Sequence, residues 1–110
     1  MGSRMSDRES IEVVVVLNRD LANEFERSLG SAGAEVEGSP TRGYDGSQTA
    51  SWLLVATTAI TTAPAVIAEL RGLLGRKKVG SVTIGDLTID NPTPEDVDRA
   101  WAVLEARPQA

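Results

Sequence analysis

Asp86, Asp90, Asp96 and Asp98 are the aspartates whose clustering could suggest acid–base chemistry. A paired-carboxylate site needs two such groups converging across a gap of several ångströms. Their spacing does not converge them: Asp86 belongs to a turn, Asp90 to a strand end, and Asp96 and Asp98 to the start of a helix. Ser39, Ser47 and Ser51 are the candidate hydroxyl nucleophiles. The chain contains no histidine to act as their base and no cysteine to replace them. Both omissions also remove the commonest metal ligands. Phosphate chemistry fares no better, because neither GxGxxG nor GxxxxGK[ST] occurs between a strand and a helix. Gly30-Ser31-Ala32-Gly33 follows a helix and reads as a stop signal. No catalytic, cofactor-binding or metal site is expected, so the sequence points away from an enzyme.

Three groups of residues could instead bind. Arg42 and Tyr44 lie in the loop GSPTRGYDG, and Tyr and Arg are favoured anchors in interfaces. The same loop also reads as a plain surface connection whose tyrosine packs on a neighbour. Thr57, Thr58, Thr61 and Thr62 recur at helical spacing and leave shallow relief suited to self-association, or to hydroxyls bonding back to the preceding turn. Arg76-Lys77-Lys78 could meet an anionic group, although a helix C-terminus explains the three charges without a ligand. Trp52 and Trp101 sit on apolar stripes and are read as core residues.

Composition narrows the classes further. Sixteen acids against eleven bases give a net charge of −5, the wrong sign for generic phosphate-backbone binding. No secretory signal is evident, and the absence of cysteine fits a cytoplasmic protein. Met1-Gly2-Ser3-Arg4 ahead of Met5 reads as an expression scar, 5–106 as a single domain, and 107–110 as a loose tail. From Gly46 to Ala68 the chain runs twenty-three residues without a charge. A helix of that length could cross a bilayer. Its threonines, alanines and Pro64 argue against a span, which is normally rich in Leu, Ile, Val and Phe.

The elements follow from periodicity. Ile11 to Leu17 is a nearly continuous β-branched run, which predicts a central strand buried on both faces. Asn18 and Asp20 offer caps for a helix through about Leu29, with Leu21, Phe25 and Leu29 inward. Ala34 to Glu37 can form a short strand. Ser47 to Gly75 allows two readings. Apolar positions from 52 to 74 hold a helical spacing, which favours helix with a break near Thr61-Thr62-Ala63-Pro64. Trp52 to Ala56 as a strand, followed by a helix opened by Pro64, is the alternative. Gly85-Asp86 predicts a hairpin turn pairing Ile84 with Leu87 and Val82 with Ile89, with Thr83 opposite Thr88. Thr93 and Pro94 open a last helix whose stripe is Val97, Ala100, Trp101 and Leu104. The expected fold is α+β, a small mixed sheet of about four strands with helices mainly on one face.

This order resembles the effector-associated constant component proteins of bacterial conflict systems. The counterparts are the Ala-rich segment Ser51 to Ile60, the leucine-bearing helix from Ala65 to Leu74, Arg76-Lys77-Lys78, the hairpin Val82 to Ile89, and the helix Glu95 to Leu104. The likeness covers about the last sixty residues best. It departs at Thr61-Thr62-Ala63-Pro64, where glycines are usual, and at Leu74, where tryptophan is common. The resemblance implies a non-catalytic module, beside or fused to effectors such as proteases, that couples recognition to activation. The expectation is therefore a cytoplasmic, self-associating adaptor whose partner is an effector or another copy. The alternatives are a membrane-associated protein anchored through 46–68, and a small ligand-binding or enzymatic domain using the Gly38–Gly46 loop as a lid.

Overall fold

The structure is a computed structural model that describes residues 10–40 and 51–106. Eight elements follow one another: β1 (Ser10–Asn18), α1 (Arg19–Ser31), β2 (Glu35–Pro40), β3 (Ser51–Ala59), α2 (Ala63–Arg76), β4 (Ser81–Ile84), β5 (Leu87–Asp90) and α3 (Pro94–Ala106). The strands form one sheet in the order β2-β3-β1-β4-β5, antiparallel at every neighbour. β1 and β2 thus run parallel with β3 between them, a split βαβ arrangement of the ferredoxin-like kind.

The α+β expectation holds, and the strand count rises to five because Ser51–Ala59 is a strand. The favoured helical reading of that segment is corrected here. Trp52, Leu54, Ala56 and Thr58 turn toward the helices, while Leu53, Val55 and Thr57 turn away. β3 lies between β1 and β2 and is hydrogen-bonded on both sides, so its β-branched residues gain more from the sheet than a helix could return. The helical half of the earlier reading survives in α2, with Pro64 in its first turn. Thr62 occupies the N-cap position but makes no side-chain capping bond.

The helices share a single core with one side of the sheet. Val13, Val15 and Leu17 from β1, Leu54 and Ala56 from β3, and Val82 and Ile84 from β4 pack with Phe25, Leu29, Val66, Leu70, Leu73 and Val97. Each fully buried Leu, Val, Ile or Phe contributes on the order of 1.5–3 kcal/mol relative to exposure. α1 ends as Gly33 takes φ +116° and the Ala34 N–H donates to the Leu29 carbonyl at 3.1 Å. That geometry closes the last turn and sends the chain into β2. Asn18 precedes α1 without a side-chain capping bond.

The hairpin register is as expected: Ile84 faces Leu87, Val82 faces Ile89, and the Thr83 and Thr88 hydroxyl oxygens are 3.0 Å apart. α3 begins with a reciprocal box, the Asp96 N–H donating to Thr93 Oγ1 at 3.2 Å and the Thr93 N–H donating to Asp96 Oδ2 at 3.1 Å. Val97 and Ala100 are buried and Trp101 and Leu104 partly so; α3 lies against α2, with Arg71 and Asp98 paired at 2.6 Å. The sheet ends at β2 on one side, which carries Glu35, Glu37 and Pro40, and at the four-residue β5 on the other.

Candidate functional site

β1 is central, as its sequence predicts, but only one of its faces is buried. Val14 and Val16 point away from the helices and remain partly exposed, as do Leu53 and Val55 beside them on β3. None of the four packs against the core cluster. The expectation of burial on both faces is therefore corrected within the described residues: a run built for two covered faces is covered on one.

The open face has a simple layout. Val14 lies opposite Val55 and Val16 opposite Leu53, making a two-by-two apolar block at the centre of the sheet. Continuing the Val14–Val55 row outward gives Glu37 on β2 and Thr83 then Thr88 on the other side. The Val16–Leu53 row continues to Ser39, and to Ser81 then Asp90. Glu12, Thr57 and Glu35 line one end, and Asn18 and Ser51 the other. Among the described residues the charges on this face are Glu12, Glu35, Glu37 and Asp90, all acidic. The arrangement holds no convergent acid and base; it offers flat apolar area with hydroxyls and carboxylates around it. That is the anatomy of a recognition surface, an apolar middle inside a polar border.

The helix side carries a polar concavity of about 420 Å³ lined by Arg19, Asp20, Asn23, Glu26, Gly38 and Trp52. The Arg19 guanidinium lies over the Trp52 ring, 5.8 Å from its centroid. Trp52 lies so closely across Gly38 that a Cβ there would overlap the indole nitrogen. Trp52 is thus half-buried at the margin of the core, and Trp101 likewise.

The four threonines singled out by spacing do not make one surface. Thr57 sits on the open face, whereas Thr58 is 3% exposed on the core side, its hydroxyl donating to the Ala59 carbonyl at 3.2 Å. Thr61 is exposed in the turn after β3, and the Thr62 methyl rests over Gly33. Arg76, Lys77 and Lys78 are exposed at the end of α2, and Arg76 reaches Glu24 only at 3.9 Å. Arg42 and Tyr44 lie outside the described residues, as do 1–9 and 107–110. Val14, Val16, Leu53 and Val55 were not singled out from sequence. Their signal was present in the unbroken valine run of β1, which left no polar side to turn toward water.

Among the described residues no three His, Cys, Asp or Glu side chains are grouped to hold a metal, and no helix is long and apolar enough to cross a membrane. No family model matches this chain, and no curated protein matches it. Solved structures of CPII from Thiomonas intermedia K12 do resemble it. The form bound to ADP, AMP and acetate superposes with a TM-score of 0.56 at 13% identity, over 76% of this chain and 90% of that one. The form bound to ADP and bicarbonate gives 0.55 at the same identity and coverage. A third, described as a nitrogen regulatory PII-like protein bound to ADP, AMP and bicarbonate, gives 0.51 at 13% identity, over 76% of this chain and 94% of that one. At this identity the likeness is one of fold.

Proposed function

We propose that this chain is a non-catalytic protein–protein interaction module of the adaptor or regulatory kind, whose partner is an effector of a bacterial conflict or signalling system or another copy of itself. One observation carries the reading: the helix-free face of the sheet presents Val14, Val16, Leu53 and Val55 as a continuous apolar block inside a polar border. A flat apolar centre within a polar border is the layout of protein–protein interfaces. The likeness of fold to a PII-like regulatory protein supports a regulatory role, and the resemblance to effector-associated constant components supports an effector as the partner. The test is co-expression and co-purification with the products of neighbouring genes, a protease or nuclease being the expected partner. Capture is expected, and Leu53→Lys is expected to weaken it by at least about tenfold. Binding indifferent to Leu53→Lys and Val16→Lys would overturn the reading.

The concavity beside Trp52 favours a second reading, a small-ligand-binding domain, since the CPII structures hold ADP, AMP, acetate or bicarbonate. Titration of ADP and AMP followed by Trp52 emission and melting temperature tests it, because a ligand selective for the folded state raises its stability. Unchanged emission and melting at millimolar nucleotide removes it.

A further inference from the structure

We infer that the occupant of the open sheet face is a second copy of this chain, packed face to face. The inference rests on the reading of that face as a binding surface and adds what covers it. Self-complementarity is the argument. An isologous contact requires that a patch match itself when turned about a two-fold axis. Place the axis in the plane of the sheet, across the strands, between the Val14–Val55 and Val16–Leu53 rows. Each strand then stacks on its own copy with the row order reversed. Val14 meets Val16, and Val55 meets Leu53. Three of the four acids meet hydroxyl or amide groups: Glu12 falls over Asn18, Glu37 over Ser39, and Asp90 over Thr88, while Glu35 falls past the described end of β2.

An axis along the strands between β1 and β3 also lays the apolar block on its own image. Val14 then meets Val55, Val16 meets Leu53, Glu12 meets Thr57, and Glu37 meets Thr83. In both arrangements Glu12 and Glu37 face hydroxyl or amide groups and not each other.

Shape and area agree. Six border positions, Ser39, Ser51, Thr57, Ser81, Thr83 and Thr88, carry short side chains and keep the relief low enough for sheets stacked at about 10 Å, Glu12, Glu35 and Glu37 being the long ones. Strands about 4.8 Å apart and rising about 3.3 Å per residue give this face on the order of 500 Å². Two copies therefore bury about 1,000 Å² in total, the threshold of a specific interface and the scale of a reversible one.

Light scattering and sedimentation of the isolated chain from micromolar to millimolar concentration test the inference. The expected mass rises above the 11.7 kDa of one chain as concentration increases. Added salt is expected to favour the assembly, because it screens the repulsion between two copies that each carry a net charge of −5. Val16→Lys and Leu53→Lys are expected to weaken it by at least about tenfold. Val14→Thr and Val55→Thr, which keep the β-branched shape, serve if a lysine variant does not fold. A monomer throughout, or an oligomer unmoved by the folded variants, overturns the inference. A monomer that still captures its effector through Leu53 overturns self-association alone and leaves the proposed function standing.

Discussion

Trp52 and Gly38 are mutually dependent: the indole lies across the backbone of β2 where any side chain larger than hydrogen would stand. Gly38 pairs with Leu54 in the register, two residues along β3 from Trp52 and on the same face, so the glycine makes room for the ring. Gly38→Ala is expected to displace Trp52 and to cost about 1–3 kcal/mol, the usual penalty of overpacking. Denaturation followed by tryptophan emission measures both effects. An unshifted midpoint with native emission would show that the ring does not rest there.

A second glycine is constrained by conformation as well as by space. Gly33 holds φ +116° beneath the Thr62 methyl. Gly33→Ala is expected to cost more than about 1 kcal/mol. Thr62→Ser removes the methyl, so the double variant should recover part of the loss, with the backbone share persisting. Full recovery would locate the whole cost in the clash.

Alternation of burial along β3 yields a direct contrast between neighbours. Leu54 is fully buried and Leu53 is partly exposed. In dilute solution Leu54→Ala is expected to cost about 2–5 kcal/mol, a core truncation, and Leu53→Ala less than about 1 kcal/mol. Equal costs would contradict the strand.

At the start of α3, Thr93 accepts from the Asp96 N–H and donates its own N–H to the Asp96 carboxylate. Thr93→Ala is expected to lower stability by about 1 kcal/mol, and Thr93→Ser to preserve most of it. Chemical denaturation of the three proteins decides the point.

Arg71 and Asp98 join α2 to α3 at 2.6 Å, but their side chains remain 46% and 54% exposed. A double-mutant cycle should give a coupling of only about 0.2–1 kcal/mol, fading with added salt. A coupling that survives molar salt would mean that the pair is shielded from solvent.

The parts of the fold legible in sequence were those with a single periodicity. The hairpin showed strict alternation around Gly85-Asp86, and α3 combined a cap, a proline and one stripe, so register and helix start followed directly. β3 was obscured because Leu53 and Val55 are apolar on the open face while Trp52, Leu54 and Ala56 are apolar on the core face. With both sides apolar, period two disappears, and Ala59 and Ile60 happen to extend a helical spacing. The candidate site was hidden for the same reason: β1 announced two covered faces, and only the sheet order showed that the helices cover one. The threonines misled because spacing alone cannot tell a helix face from a strand followed by a turn.

The borders of the sheet set a limit on growth. β2 ends in Pro40, which has no N–H to donate, and carries Glu35 and Glu37, while β5 spans four residues. Neither rim makes a good template for an incoming strand. Strand-by-strand addition at the rims, the route to open-ended fibrils, is thereby disfavoured.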